Sequence, residues 1–194
     1  MGRPRAFDRD QALDQAMDVF WRHGYEGASL AELTKAMGIN PPSLYAAFGN
    51  KEGLFRAVLD RYGEGRANFM DDVLDAPTSR QVVERYLRGS AEFGGEPQKP
   101  AGCLILQSGL TCGAGGEAVA GELTELRKTP ECQLRVRFER AREEGDLPVG
   151  LDPAGFARYL GAVTQGMSIQ AAGGATRAEL QQVAEMALKA WPGN

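Results

Sequence analysis

The chain has 194 residues, of which 43% are hydrophobic and 25% charged, and its formal net charge is −4. This composition excludes wholesale disorder, and the length allows one or two small domains whose core needs neither disulfides nor a metal. The negative charge argues against a protein that coats nucleic acid along its length. A DNA-binding protein remains compatible with it, because only one face needs to be basic.

The chain shows none of the usual signs of secretion or membrane insertion. Residues 1–10 lack the apolar stretch of a signal peptide, and the most apolar run, Gly102–Leu110, is far shorter than the ~18 residues of a spanning helix. Cysteines 103, 112 and 132 form no CxxC pair, so we expect neither a disulfide framework nor a zinc site. We therefore expect a cytoplasmic protein with no cofactor and no membrane partner.

The first part of the chain is predicted to be helical throughout. Apolar residues recur at helical spacing, and capping residues mark the helix ends. Asp8 begins the first helix, and Ser29 with Glu32 forms a capping box for the second. The predicted helices are Asp8–Gly24, Ser29–Gly38, Pro41–Phe48 and a long helix from Lys51 to Leu74.

The second part of the chain is also predicted to be helical, with loops rich in glycine and proline at 94–102 and 144–153. No run of alternating β-branched residues indicates a strand. The predicted helices are Ser79–Phe93, Cys103–Thr111, Glu117–Glu144 with a bend at Pro130, Pro153–Gly173 and Thr176–Trp191.

Helices two and three are joined only by Gly38, Ile39 and Asn40, a spacing typical of a helix-turn-helix. In such a unit the second helix enters the major groove with its N-terminal residues. Asn40 is suited to cap that helix. Pro41 and Pro42 then occupy first-turn positions, where the missing N–H groups cost little.

The segment from Ala12 to Phe55 resembles the DNA-binding domain of the TetR family of bacterial transcriptional regulators. The residues that carry the resemblance are Phe20, Gly24, Tyr25, Ser29, Leu33, Ala36, Gly38, Ile39, Leu44, Tyr45, Phe48, Lys51, Glu52 and Leu54. The resemblance implies an all-α protein. Its three-helix DNA-binding domain would span residues 1–50, with the helix-turn-helix at about 29–48, and a six-helix effector-binding and dimerisation domain would span residues 51–194.

The same resemblance implies a dimeric repressor that a small, mainly apolar effector releases from a pseudo-palindromic operator in double-stranded DNA. Candidate DNA contacts are Arg3, Arg5, Ser29, Asn40, Pro41, Pro42, Ser43, Tyr45, Ala46 and Lys51. Candidate linings of the effector pocket, between helices four and seven, are Tyr62, Phe69, Tyr86, Phe93, Cys103, Leu106, Leu110 and Phe138. Candidate residues of a homodimer interface are Phe156, Leu160, Val163, Met167, Leu180, Val183, Ala187 and Trp191.

Several candidate DNA contacts also have an argument from physical chemistry. Ser29 stands at a helix start, where free N–H groups suit a phosphate, although plain capping explains it equally well. Tyr45 can pack its ring on the domain while its hydroxyl reaches the DNA backbone. Lys51 is unfavourable to the dipole at a helix start, so another partner such as phosphate is expected. Pro41 and Pro42 can offer only apolar surface, which suits thymine methyl groups.

The charge of the N-terminal segment predicts a modest electrostatic contribution to DNA affinity. Residues 1–55 contain six Lys/Arg and seven Asp/Glu, a net charge of about −1. Because the acids concentrate in helix one, which can face away from DNA, we expect a basic edge rather than a basic domain.

Two alternatives stay open at this stage. The chain could sense oxidants or electrophiles through a cysteine, although no Lys or Arg lies within nine residues of Cys112 to activate it. It could also be a helical adaptor that has lost DNA binding. An enzyme is not expected, because His23 is the only histidine and no phosphate-binding loop motif is present.

Overall fold

The computed structural model describes residues 7–94, 99–110 and 117–192, and every regular element in these ranges is an α-helix. The helices are α1 Arg9–Gly27, α2 Leu30–Met37, α3 Pro41–Phe48, α4 Lys51–Leu74, α5 Ser79–Gly94, α6 Leu104–Leu110, α7 Glu117–Glu143, α8 Pro153–Ala172 and α9 Arg177–Leu188. This architecture confirms the all-α fold class. Within the described ranges, no helix combines the length and apolarity needed to cross a bilayer.

Local capping fixes the ends of the first helices. Asp8 Oδ1 accepts hydrogen bonds from the N–H groups of Asp10 and Gln11, at 3.0 and 3.1 Å, and so caps α1. Gly24 has a positive φ of 70° and interrupts α1 where its end was predicted, before a last short turn. Gly38 adopts the left-handed conformation at the end of α2, with φ 65°, and directs the chain into α3.

One hydrophobic cluster, the N-terminal cluster, unites α1, α2, α3 and the first half of α4. Its largest fully buried members are Phe20, Leu33, Leu44, Leu54 and Phe55. The cluster continues into α6 and the start of α7, where it includes Leu104, Ile105, Val119 and Leu123. The DNA-binding helices are therefore packed onto α6 through α1.

A second hydrophobic cluster, the C-terminal cluster, begins at Met70 and Val73 in the last part of α4 and joins α5, α7, α8 and α9. Since α4 contributes to both clusters, no break in packing separates residues 1–50 from residues 51–194. The division into those two domains remains a prediction from the sequence.

Six of the eight residues predicted for the dimer interface lie in the C-terminal cluster. Phe156, Leu160, Met167, Leu180, Ala187 and Trp191 are each at most 7% exposed in the single chain. A side chain that its own subunit encloses has almost no surface left for a partner. The structure therefore places these six in the core, contrary to the prediction, and leaves only Val163 and Val183 half-buried at its edge.

Phe138, predicted to line the effector pocket, is likewise a core residue. It is fully buried in the C-terminal cluster, and its ring lies 5.7 Å from the ring of Phe156. The sequence alone could not show that Phe138 faces the α8 side of the bundle, where it meets Phe156.

A buried arginine ties the C-terminal end of α4 to α7. Arg137 is 7% exposed, and it donates hydrogen bonds from Nε to the Leu74 carbonyl at 3.2 Å and from Nη2 to the Ala76 carbonyl at 3.0 Å. The carbonyls at a helix end lack partners within the helix, and a cation is favourable there. Arg137 therefore fixes where α4 ends relative to α7.

We expect Arg137→Met to destabilise the fold by about 2–4 kcal/mol, because the buried carbonyls would lose charged donors. Urea unfolding followed by circular dichroism measures this loss. Arg135→Met is the matched control, since Arg135 is exposed and pairs with Glu139 in the same helix, at 3.6 Å. Equal losses in the two variants would contradict the anchoring role of Arg137.

Candidate nucleic-acid interface and effector cavity

Helix α3 presents an exposed N-terminal tip. Asn40 Oδ1 accepts a hydrogen bond from the Ser43 N–H at 2.9 Å, so it caps α3 as predicted, and the helix begins at Pro41. Leu44 and Phe48 are buried and hold the helix against the N-terminal cluster. The predicted DNA contacts of this region lie together at the tip: Asn40, Pro41, Pro42, Tyr45 and Ala46 are exposed, and Ser43 is half-buried.

Ser29 forms a complete capping box at the start of α2. Its Oγ accepts from the Glu32 N–H at 3.2 Å and donates to Glu32 Oε2 at 2.6 Å, while its own N–H donates to the same oxygen at 3.1 Å. The Ser29 hydroxyl lowers the pKa of Glu32 by hydrogen bonding to its carboxylate. A carboxylate therefore occupies the helix start, and a phosphate could bind there only if Glu32 moved aside.

Lys51 has partners within its own chain. Its Nζ donates to the Glu26 carbonyl at 3.3 Å and lies 4.8 Å from the centre of the Tyr25 ring. Partial burial lowers its pKa. The structure thus gives two local reasons for a lysine at the start of α4. Lys51 makes a cation–π contact with the Tyr25 ring, and it donates a hydrogen bond to a carbonyl at the end of α1. Arg3 and Arg5 lie outside the described residues.

A cavity of about 460 Å³ lies between α1 and the helices α4 to α8. Six of the predicted pocket residues line it: Tyr62, Phe69, Tyr86, Phe93, Cys103 and Leu106. Phe138 does not, and the side chain of Leu110 lies outside what the structure describes. The volume falls in the range of small-molecule sites.

The cavity also has walls that the sequence analysis did not anticipate. Met17 and Trp21 of α1 line it, so the DNA-binding helices themselves reach the cavity. Arg66 and Arg127 line it too. The sequence analysis considered only apolar and aromatic positions, although Arg66 follows Tyr62 by four residues and therefore shares its helix face.

A polar cluster occupies part of the cavity wall. Tyr62 Oη lies 3.5 Å from Cys103 Sγ, and Arg66 Nη1 lies 3.5 Å from Tyr62 Oη and 3.8 Å from Cys103 Sγ. Burial raises the pKa of Tyr62. The cationic neighbour that the sequence did not show near Cys112 is present at Cys103, because α4 packs beside α6. Cys112 itself lies outside the described residues.

The exposed faces of α8 and α9 carry apolar residues that the sequence analysis did not select. Tyr159 and Ile169 on α8 are 37% and 54% exposed, and Met186 on α9 is 64% exposed. They lie on the outer surface of the same two helices whose inner stripes form the core. Large exposed apolar side chains on adjacent helices are typical of an association surface.

Comparison with known proteins identifies the fold and its role. Residues 12–58 match the family model described as bacterial regulatory proteins, tetR family. The chain is 38% identical over 193 residues to the HTH-type transcriptional repressor ComR of Escherichia coli. The matched region covers 98% of this chain and 92% of ComR. A further E. coli repressor, BdcR, is 43% identical over 108 residues, covering 55% of this chain and 54% of BdcR.

The solved structures agree. A cysteine-substituted form of the TetR family transcriptional regulator CifR, in complex with 26 bp of operator DNA, is 46% identical with a TM-score of 0.92, covering 98% of this chain and 100% of CifR. The chain belongs to the TetR family. It is a DNA-binding transcriptional regulator rather than an enzyme.

In this TetR-family regulator, an ion pair at the cavity wall connects α1 to α4. Arg61 donates from Nε and Nη2 to the two oxygens of Asp14, at 2.5 and 2.8 Å, and lies 3.7 Å from Asp10. Hydrogen bonding to Arg61 lowers the pKa of Asp14. The pair thus joins the DNA-binding helices to the cavity wall, although the Asp14 side chain is 57% exposed and screened by solvent.

A double-mutant cycle of Asp14→Asn and Arg61→Gln should give a coupling energy of about 0.5–1 kcal/mol at pH 7. Because the folded pKa of Asp14 is lowered, this stabilisation is present above the ordinary aspartate pKa of about 4 and is lost as the pH falls through the lowered value. Urea unfolding at several pH values measures it. The Glu125–Lys128 pair within α7 is the control, and a coupling no larger than in that pair would refute the connection.

Proposed function

We propose that this TetR-family regulator is a dimeric repressor that leaves its operator when a small molecule fills the cavity between α1 and α4–α8. The observation that carries the proposal is the position of the cavity, which α1 and α4 line directly. The recognition helix α3 packs on α4 and on α2, and α2 packs on α1, so a ligand in the cavity touches helices that set its position. The names of ComR and BdcR, both repressors, support repression.

The link from α4 to α3 is a close packing contact. A Cβ atom at Gly53, in the first turn of α4, would collide with the Phe48 carbonyl at the end of α3. Asn50 caps α4 by accepting from the Gly53 N–H at 2.7 Å, so the junction has little freedom. A shift of α4 at the cavity would therefore carry α3 with it, and with α3 the spacing between two DNA-binding units.

DNA binding by the α3 tip is tested with DNA that flanks the gene of this protein. We expect specific binding in a gel shift with excess competitor DNA. We expect Tyr45→Phe to weaken that binding about three- to tenfold, because the 48% exposed Tyr45 would lose its hydroxyl contact to a phosphate. Val149→Ala, at a fully exposed residue of the loop between α7 and α8, should leave it unchanged. Absence of specific binding by the unmodified chain would refute the proposed function.

Dimerisation is proposed through the exposed faces of α8 and α9, not through the stripes that the sequence suggested. A groove between these helices is lined by residues that include Gln170, Gly173, Val183 and Met186. Two helices from each subunit can form a four-helix bundle with two-fold symmetry. A dimer also fits the two half-sites of a pseudo-palindromic operator.

Ile169→Arg and Met186→Arg should each convert the dimer to a monomer at micromolar concentration, because each places a charge in an apolar interface. Light scattering gives the mass, and circular dichroism confirms that the helices remain. Val136→Arg is the control, since Val136 is 58% exposed on α7, away from the proposed interface. A monomeric mass for the unmodified chain would rule the dimer out.

Sensing through a cysteine is a second candidate, and one observation favours it. Cys103 is partly exposed in the cavity wall, and its Sγ lies 3.8 Å from Arg66 Nη1, which is the kind of environment in which reactive cysteines occur. The CifR complexes were obtained with cysteine-substituted proteins bound to operator DNA. By analogy, we expect Cys103→Ser to keep operator binding, so that any role of this thiol would lie in release and not in DNA recognition.

A further inference from the structure

The cavity contains an arginine, Arg66, whose charge is balanced by no carboxylate among the described residues. Arg66 donates hydrogen bonds to a phenol and a thiol, at 3.5 Å to Tyr62 and 3.8 Å to Cys103. Its guanidinium carbon also lies 5.8 Å from the centre of the Tyr62 ring. Within the described residues it forms no ion pair.

The other charges of the cavity wall strengthen this imbalance. Arg127 donates to Thr124 Oγ1 at 3.1 Å and has no ion pair in the part of the chain that the structure describes. Of the three acids in the wall, Asp14 and Glu131 are each engaged by an arginine, and Glu64 is exposed. The wall therefore carries positive charge that its own acids do not neutralise.

A partly buried arginine without a carboxylate partner favours the binding of an anion. Its guanidinium stays protonated at any physiological pH, so the cost of partial burial cannot be relieved by loss of the proton. Long hydrogen bonds to neutral groups offset only part of that cost. A carboxylate would supply two short, charge-assisted hydrogen bonds to the planar fork of Arg66.

The rest of the cavity wall is suited to an apolar body. Trp21, Phe69, Phe93 and Leu106 contribute aromatic and aliphatic surface. The indole N–H of Trp21 is buried and has no hydrogen-bond partner among the described residues, so a ligand acceptor could also find a donor in α1. Mainly apolar walls with a few polar groups are typical of sites that orient one end of a ligand.

We propose that the effector is a small organic carboxylate with an aromatic or apolar body, whose carboxylate binds Arg66 while the body packs against the aromatic wall. This inference rests on the proposed function, since it names the chemical class of the effector. It replaces the expectation of a mainly apolar molecule. Such a ligand would contact both α1 and α4, the two helices that the Asp14–Arg61 pair connects.

Calorimetry with the full chain and no DNA tests the class directly. The probes are phenylacetate, hydrocinnamate and naphthylacetate, each compared with its primary amide, which has nearly the same shape but no charge. We expect at least one acid to bind about tenfold more tightly than its amide, because only the acid forms charge-assisted bonds with Arg66. Equal binding of acids and amides, or no binding of any acid at millimolar concentration, would overturn the proposal.

Variants locate the site. Arg66→Gln should abolish the preference for acid over amide and leave amide binding unchanged, while Arg66→Lys should restore part of the preference. Arg85→Gln is the matched control, since Arg85 is exposed on α5 and pairs with Asp72 outside the cavity. If Arg66→Gln keeps the full preference, the proposal fails. If it does not fold, the comparison of acid with amide on the unmodified chain still decides.

Two further results distinguish reversible binding at Arg66 from thiol chemistry and from the proposed regulatory function. The intact mass of the chain should be unchanged after exposure to each acid, whereas a mass increase would indicate chemistry at the Cys103 thiol in place of reversible binding at Arg66 and would overturn the proposal. Because the calorimetry contains no DNA, carboxylate binding can succeed while the gel shift fails. In that case the proposed regulatory function is wrong and the ligand class is right.

Discussion

Helix α4 is the constraint on which the other parts of this structure depend. At its start, Gly53 allows the helix to pass so close to Phe48 that the two helices α3 and α4 behave as one piece. At its far end, Arg137 of α7 holds the last carbonyls. Between these fixed points, Tyr62, Arg66 and Phe69 form one wall of the cavity. The cavity wall therefore belongs to a helix that is fixed at both ends by packing and hydrogen bonds.

The N-terminal cluster also connects the wall of the cavity to the DNA-binding helices by packing, in addition to α4. Because Leu104 and Ile105 of α6 are buried together with Phe20 and Leu33, α1 packs on the helix that carries Leu106 into the cavity. Packed cores tend to occupy discrete arrangements and do not deform continuously. A small displacement of α6 is thus transmitted to the helix-turn-helix through apolar contacts as well as through α4.

The charge distribution of the DNA-binding helices follows from the same packing. The acids Asp10 and Asp14 on α1 turn towards Arg61 of α4, so they face the body of the protein. Glu32 is held at the start of α2 by Ser29. Lys51 turns inward to Tyr25. The exposed tip of α3 is left without a charged side chain and contains two prolines, Pro41 and Pro42.

The sequence by itself determined the helices and most of their ends, because caps act over three or four residues. Asn40 with Ser43, Ser29 with Glu32 and the glycine turn at Gly38 are local interactions, so a pattern in the chain identifies them without knowledge of the fold. The helix-turn-helix and its exposed tip follow from these caps and from the short connection between the helices.

Only the tertiary structure decided which apolar stripes face a partner and which residues meet in the cavity. Leu160 and Tyr159 are adjacent in α8, yet the first is buried in its own subunit and the second is exposed, since burial depends on where α5, α7 and α9 pack. Arg66 reaches Cys103 across 37 positions of sequence because two helices lie side by side. Such meetings depend on the packing of distant faces, which periodicity along one helix does not encode.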